Sequence, residues 1–202
     1  MGTRNLVMVI YQKKTVIAQY GQYDGYPSYT ADYLLRFMLD KSKVSSLKHQ
    51  LDSKNVTLLT YEKAQAKFGK EWNANNFSSA FHSSAGCGIL DIIIQGGHHF
   101  YLQDSTSFSR DSLFCEWGYV VNLDNMSLEV YKGYNQEPLV KGERFFRYNR
   151  YHVNTAFKPI KYLTTIFDVK TPANKSIDEF VSDAVRAIEL VSDLKDTISP
   201  II

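Results

Sequence analysis

The chain has 202 residues, 44% of them hydrophobic and 22% charged, and a formal charge of +2. That is ordinary globular composition, which excludes disorder, collagen-like repeats and coiled coil as the main state. One α+β domain over residues 1–202 is expected, large enough to bury a core without staples. The near-neutral charge gives no mandate for nucleic acid or an anionic membrane as partner.

In chain order, residues 5–11 (NLVMVIY) and 15–20 (TVIAQY) are β-branched and apolar and flank Gln12-Lys13-Lys14, the pattern of a β-hairpin. No Asn-Gly or Asp-Gly marks the turn, so its type stays open. A breaker-rich loop runs from Gly21 to Pro27. From Thr30, the residues Ala31, Leu34, Leu35 and Met38 recur at helical spacing. Val44, Leu47 and Leu51 resume that pattern after Lys41-Ser42-Lys43, which fits a kink or a second helix. Residues 56–60 read as a short strand or a turn, and 61–69 as a short helix ending near Gly69. The Asn- and Ser-rich stretch 72–80 reads as loop, and 85–95 as a helix closed by Gly96-Gly97. Residues 114–121 and 127–132 are strand-like around a turn-rich link, a second hairpin. Residues 135–155 show no sustained period and read as a long excursion with one short strand, and 160–167 as a further strand. Ser176 with Glu179 forms a capping box. Ile177, Phe180, Val181, Ala184, Val185, Ile188, Val191 and Leu194 then fill one face of a final helix. The sum predicts α+β: an antiparallel sheet built from hairpins, with helices packed on it.

Three constellations carry chemistry. A hairpin brings its outer ends together, so Arg4 should lie near Gln19, Tyr20 and Gln22, with Asp24 and Tyr26 in the adjoining loop. Arg presents a planar donor fork for carboxylate or phosphate, and convergent polar groups beside a sheet end make a pocket for a small polar ligand. The competing reading has Arg4 pair with Asp24 and merely pin the loop. In the second constellation, alternation places Cys115, Trp117 and Tyr119 on one face and Glu116 with Gly118 on the other. A Glu in an apolar strand is costly unless paired, and Arg4 is the natural partner. Cys115 as a nucleophile needs a base and a lowered pKa; a buried, inert thiol is the alternative. The third is His98-His99, with His82 and His152 elsewhere. Their spacing supports no metal site, and no Cys/His zinc pattern exists. Arg144, Arg147 and Arg150 among aromatics read as a solvated loop rather than a single-strand nucleic-acid surface.

The segments GTRNLVMVI, AQYGQYDGYP and LFCEWGYVVNLDNMSLEVYKG resemble an uncharacterised microbial and fungal family with an N-terminal GTR, an AQYGQxDGYP loop and an LFCEWxYVxDLD hairpin. The resemblance implies no activity, and Asn122 stands where that pattern has Asp. A looser likeness is to N-terminal-nucleophile hydrolases, which open on a hairpin beginning with Thr, Ser or Cys. It implies their layering and would make Thr3 the nucleophile, although Met1-Gly2 precede it.

The leading expectation is a cytoplasmic binding protein with reduced thiols and no cofactor. It would take a small polar ligand or a partner protein through Arg4, Gln22, Asp24 and the Glu116 strand. No signal-peptide pattern opens the chain, Leu6 stands where myristoylation wants Ser or Thr, and no apolar run is long enough to span a membrane. One alternative is an amide-bond hydrolase using Thr3 or Cys115. Another, from the AT-rich bias of 16 Lys against 7 Arg, is a phage or mobile-element protein acting on its host.

Overall fold

A computed structural model describes residues 2–69, 85–151, 156–166 and 170–198. The regions around His82 and His152 and the loop at 72–80 lie outside them, as does the end of the strand expected at 160–167.

The first hairpin forms as its pattern requires: β1, Asn5–Tyr11, pairs antiparallel with β2, Lys14–Gly21. Gln12 and Lys13 both take positive φ, 50° and 60°, the conformation of a tight hairpin turn usually given to Asn and Gly. Asp124 makes it tolerable, because its two carboxylate oxygens accept the backbone N–H groups of Gln12 and Lys13, each at 2.8 Å.

After the loop, a short π-helical turn at Pro27–Ala31 leads into α1, Asp32–Leu39. Asp40 then caps α2, Lys41–Asp52, accepting from the N–H groups of Ser42 and Lys43. The polar interruption is thus the start of a second helix. β3 is Val56–Leu59 and α3 Tyr61–Phe68. The apolar run at 89–95 forms α4, Ile89–Gln95, and ends at Gly96. β4, Phe100–Gln103, and a 3₁₀ turn at Thr106–Arg110 follow in a stretch that carried no sequence expectation. The second hairpin is β5, Trp117–Asn122, with β6, Ser127–Lys132. β7 is Lys161–Ile166. α5, Ile177–Ile198, starts at the Ser176/Glu179 capping box, whose reciprocal hydrogen bonds are formed.

The main sheet has five strands in the order β2-β1-β5-β6-β7, and β3 and β4 make a separate two-stranded parallel sheet. All contacts within the main sheet are antiparallel except the central one: β1 pairs with β5 in parallel. The two hairpins therefore share one sheet but run side by side.

Both faces of that sheet are buried, which explains the unbroken apolar run of β1. Val7, Val9, Ile17, Tyr119, Val121 and Val130 point into a core closed by α1, α2, α4 and α5. Leu6, Met8, Ile10, Ala18, Val120 and Tyr131 point into a second core closed by Leu139, Phe145 and Ile160. The excursion at 135–151 thus covers the second face; it contains a 3₁₀ turn at Phe146–Tyr151 and no strand. Along α5, Val181, Val185 and Ile188 are buried, whereas Ile177 and Leu194 are exposed, so the apolar stripe overruns the sheet at both ends. Among the described residues no helix is long and apolar enough to cross a membrane.

Candidate functional site

Arg4 and Glu116 meet. The Arg4 Nε lies 3.3 Å from Glu116 Oε1, and the Arg4 backbone N–H donates to the same oxygen at 3.1 Å. The pair arises because β5 is recruited beside β1: both the Glu116 and Trp117 N–H groups bond to the Arg4 carbonyl. Tyr134 donates its hydroxyl to Glu116 Oε2 at 3.3 Å, so the carboxylate has partners on both oxygens. The Arg4 guanidinium also lies 5.1 Å from the centroid of the Phe114 ring.

Arg4 does not pair with Asp24. Asp24 takes φ 55°, its carbonyl accepts the Thr30 hydroxyl at 2.6 Å, and the residue is exposed. Tyr26 is exposed at the surface of the same loop. Gln22 accepts the hydroxyl of Tyr20. Trp117 is buried in the helix-side core, under the Lys132 ammonium. The loop needs its glycines: a Cβ on Gly21 would stand 2.6 Å from the Asn5 amide, and one on Gly25 2.7 Å from the Thr3 carbonyl. Asn5 is buried with its Oδ1 unpartnered, and Tyr119, fully buried, anchors the loop by donating to the Gly25 carbonyl at 2.8 Å.

Neither candidate nucleophile is presented for reaction. Thr3 is buried at 4% exposure, and its nitrogen is acylated by Gly2. Cys115 is sealed, and burial pushes its thiol well up from the usual range. It also sits on the face opposite to that expected from alternation. Residues 112–114 form a turn and the strand starts only at Trp117, so Cys115 joins the core of Leu6 and Val120 rather than that of Tyr119. Cys87 is also buried and pushed up to about 11. Among the described residues no cluster of His, Cys, Asp and Glu could hold a metal ion. The His99 ring bonds to the Thr57 hydroxyl instead.

A cleft lies beside this pair, at the outer edge of β2. It measures about 580 Å³ and is lined by Gln19, Tyr20, Asp104, Arg110, Asp111 and Phe114, among others. The volume falls within the usual range for small-molecule sites, about 300–1,000 Å³. Its far wall is docked on β2: the Ser105 N–H donates to the Ala18 carbonyl at 3.1 Å, Phe108 packs edge-on against Tyr20 at 4.8 Å, and Asp104 accepts the Thr106 N–H within the wall. Phe114 belongs to both features, bearing on Arg4 and lining the cleft. Burial raises the Tyr20 phenol against the opposing pull of Arg4, which keeps its hydroxyl a neutral donor to Gln22.

Of the residues expected at the site, Gln19 and Tyr20 line the cleft, Gln22 reaches it through Tyr20, and Arg4 and Glu116 support its Phe114 wall. Sequence reasoning missed Asp104, Ser105, Ser107, Phe108 and Arg110. Their segment, DSTSFSR, carries only the polar signature of a surface loop.

The fold is mixed α+β, with a polar-lined cleft at an edge of its main sheet. Comparison with protein-family models, curated proteins and solved structures found no match.

Proposed function

We propose that this protein binds a small polar ligand in the cleft between the edge of β2 and residues 103–114. The observation that carries the reading is Gln19. It is 6% exposed and lines the cleft. Its Nε2 donates to the Tyr20 carbonyl at 2.9 Å, which fixes the amide orientation and leaves Oε1 without a partner among the described residues. An acceptor without a partner among the described residues, at the wall of a cleft, is open to a ligand donor that takes the place of water. The Arg4–Glu116 pair is then a support: it holds the Phe114 ring as one wall while contributing no group to the lining.

The test is a ligand-observed NMR screen of small polar metabolites against the wild type and Arg110→Gln. Hits whose signals weaken in the variant, at an unchanged melting temperature, support the reading. A screen with no hit sensitive to any cleft residue overturns it. A protein partner is the second reading, favoured by the exposure of Tyr23, Tyr26 and Tyr29 at 59%, 57% and 55%. It predicts a partner lost on Tyr26→Ala and kept in Arg110→Gln.

A further inference from the structure

Resting on that reading, we infer that the ligand is a small zwitterion carrying a planar apolar group, of the chemical type of a free aromatic amino acid. The cleft lining holds charges of both signs that do not neutralise one another. Arg110 is exposed and, among the described residues, makes no ion pair, and neither do Asp104 and Asp111. Each of the two carboxylates spends one oxygen on the backbone, Asp104 on the Thr106 N–H and Asp111 on the Leu113 N–H, and keeps the other.

The backbone supplies a further donor. In the β1–β2 ladder Ala18 and Tyr20 face away from β1, as the Ala18 carbonyl shows by accepting from Ser105. The Tyr20 carbonyl is taken by Gln19 Nε2, and the Tyr20 N–H, on the same outward edge, has no acceptor among the described residues. The cleft therefore offers Arg110 and the Tyr20 N–H to a carboxylate, and Asp104, Asp111 and Gln19 Oε1 to an ammonium. A ligand with both charges pairs with both halves, whereas a ligand with one charge leaves the other half to water. The third element is aromatic: Phe114 is 48% exposed, next to the Tyr20–Phe108 pair, and offers its ring to a planar group.

The experiment titrates ¹⁵N-labelled protein with three probes: L-phenylalanine, 3-phenylpropionate lacking the ammonium, and phenethylamine lacking the carboxylate. Amide shifts of Gln19, Tyr20 and Ser105 are followed. L-Phenylalanine should shift them, and each one-charge analogue should bind about tenfold more weakly or worse. Arg110→Gln should weaken L-phenylalanine and 3-phenylpropionate by a similar factor and leave phenethylamine unchanged. Asp111→Asn, which keeps the oxygen that caps Leu113, should weaken L-phenylalanine and phenethylamine instead. Equal binding of 3-phenylpropionate and L-phenylalanine, or no shift from any probe up to about 10 mM, some tenfold above a 1 mM dissociation constant, overturns the inference. A glucose and inorganic phosphate control separates the two levels. Shifts in the cleft from these alone leave a polar site standing without the zwitterion, and silence from every compound removes both.

Discussion

Replacing Arg4 tests whether the Arg4–Glu116 pair is a sealed ion pair or an adjustable support. The side chains are 22% and 17% exposed, so water reaches both. Breaking a fully buried pair costs about 3–5 kcal/mol because the survivor is stranded. Here Glu116 would keep the Arg4 backbone N–H, which no side-chain change removes, and the Tyr134 hydroxyl. What Arg4→Ala loses is one long charge-assisted contact at 3.3 Å, a marginal, exposed Nη2 hydrogen bond to the Leu113 carbonyl at 3.5 Å, and the guanidinium on Phe114 at 5.1 Å. A partly exposed pair is worth about 0.2–1 kcal/mol and a cation–π contact about 0.5–1 kcal/mol, for a total of roughly 1–2 kcal/mol. In a domain of this size that lowers the melting temperature by roughly 2–8 °C. Arg4→Lys keeps the charge and loses the planar stack, so it should cost less in stability yet loosen Phe114 and weaken cleft binding. Urea denaturation of Arg4→Ala, Glu116→Gln and the double variant gives the coupling directly, expected at about 0.5–1 kcal/mol. A loss above about 4 kcal/mol for Arg4→Ala would mean that the pair is sealed. A loss within about 0.5 kcal/mol of zero would mean that the contact supports nothing.

Asp124→Asn should lower the melting temperature at neutral pH, because it weakens the acceptor of the Gln12 and Lys13 N–H groups; adding Lys13→Gly, which tolerates the positive φ, should restore part of the loss. Those two N–H groups hold the Asp124 carboxyl below its usual range. Its contribution is therefore complete above the unfolded carboxyl value of about 4 and lost as pH falls through the lower folded value. The gap between wild type and Asp124→Asn should accordingly close in melts taken at progressively lower pH. Tyr119→Phe leaves the buried Gly25 carbonyl without its donor and should cost about 1–3 kcal/mol; hydrogen exchange should rise first at residues 22–26, and unchanged exchange there would show that the loop is anchored otherwise. Gly133→Ala would set a Cβ against backbone atoms of Ser112, Cys115 and Glu116, none of which can move alone, and should destabilise by roughly 1–3 kcal/mol in urea denaturation. Cys87 and Cys115, both buried with raised thiols, should react with a thiol reagent at pH 8 only as fast as the protein opens; stoichiometric labelling within seconds would contradict their burial.

Local rules sufficed wherever the physics was local. The two hairpins, the capped α5 and the stop of α4 at Gly96 follow from periodicity, capping and chain reversal within a few residues. The Arg4–Glu116 contact was legible too, since a carboxylate in an apolar strand demands a cation and the hairpin end supplied one. The parallel pairing of β1 with β5 was not, because an apolar strand carries no mark of the direction in which a distant neighbour runs. Nor was the face of Cys115, because alternation counts only within a strand and the turn at 112–114 resets it. The cleft was the least legible of all. Asp104, Arg110 and Asp111 have the sequence of a solvated loop, and they become a wall only because Ser105 docks on Ala18, far away in the chain. Whether a polar side chain faces bulk water or a cavity depends on what the rest of the chain packs opposite it, and that is decided by the completed tertiary fold.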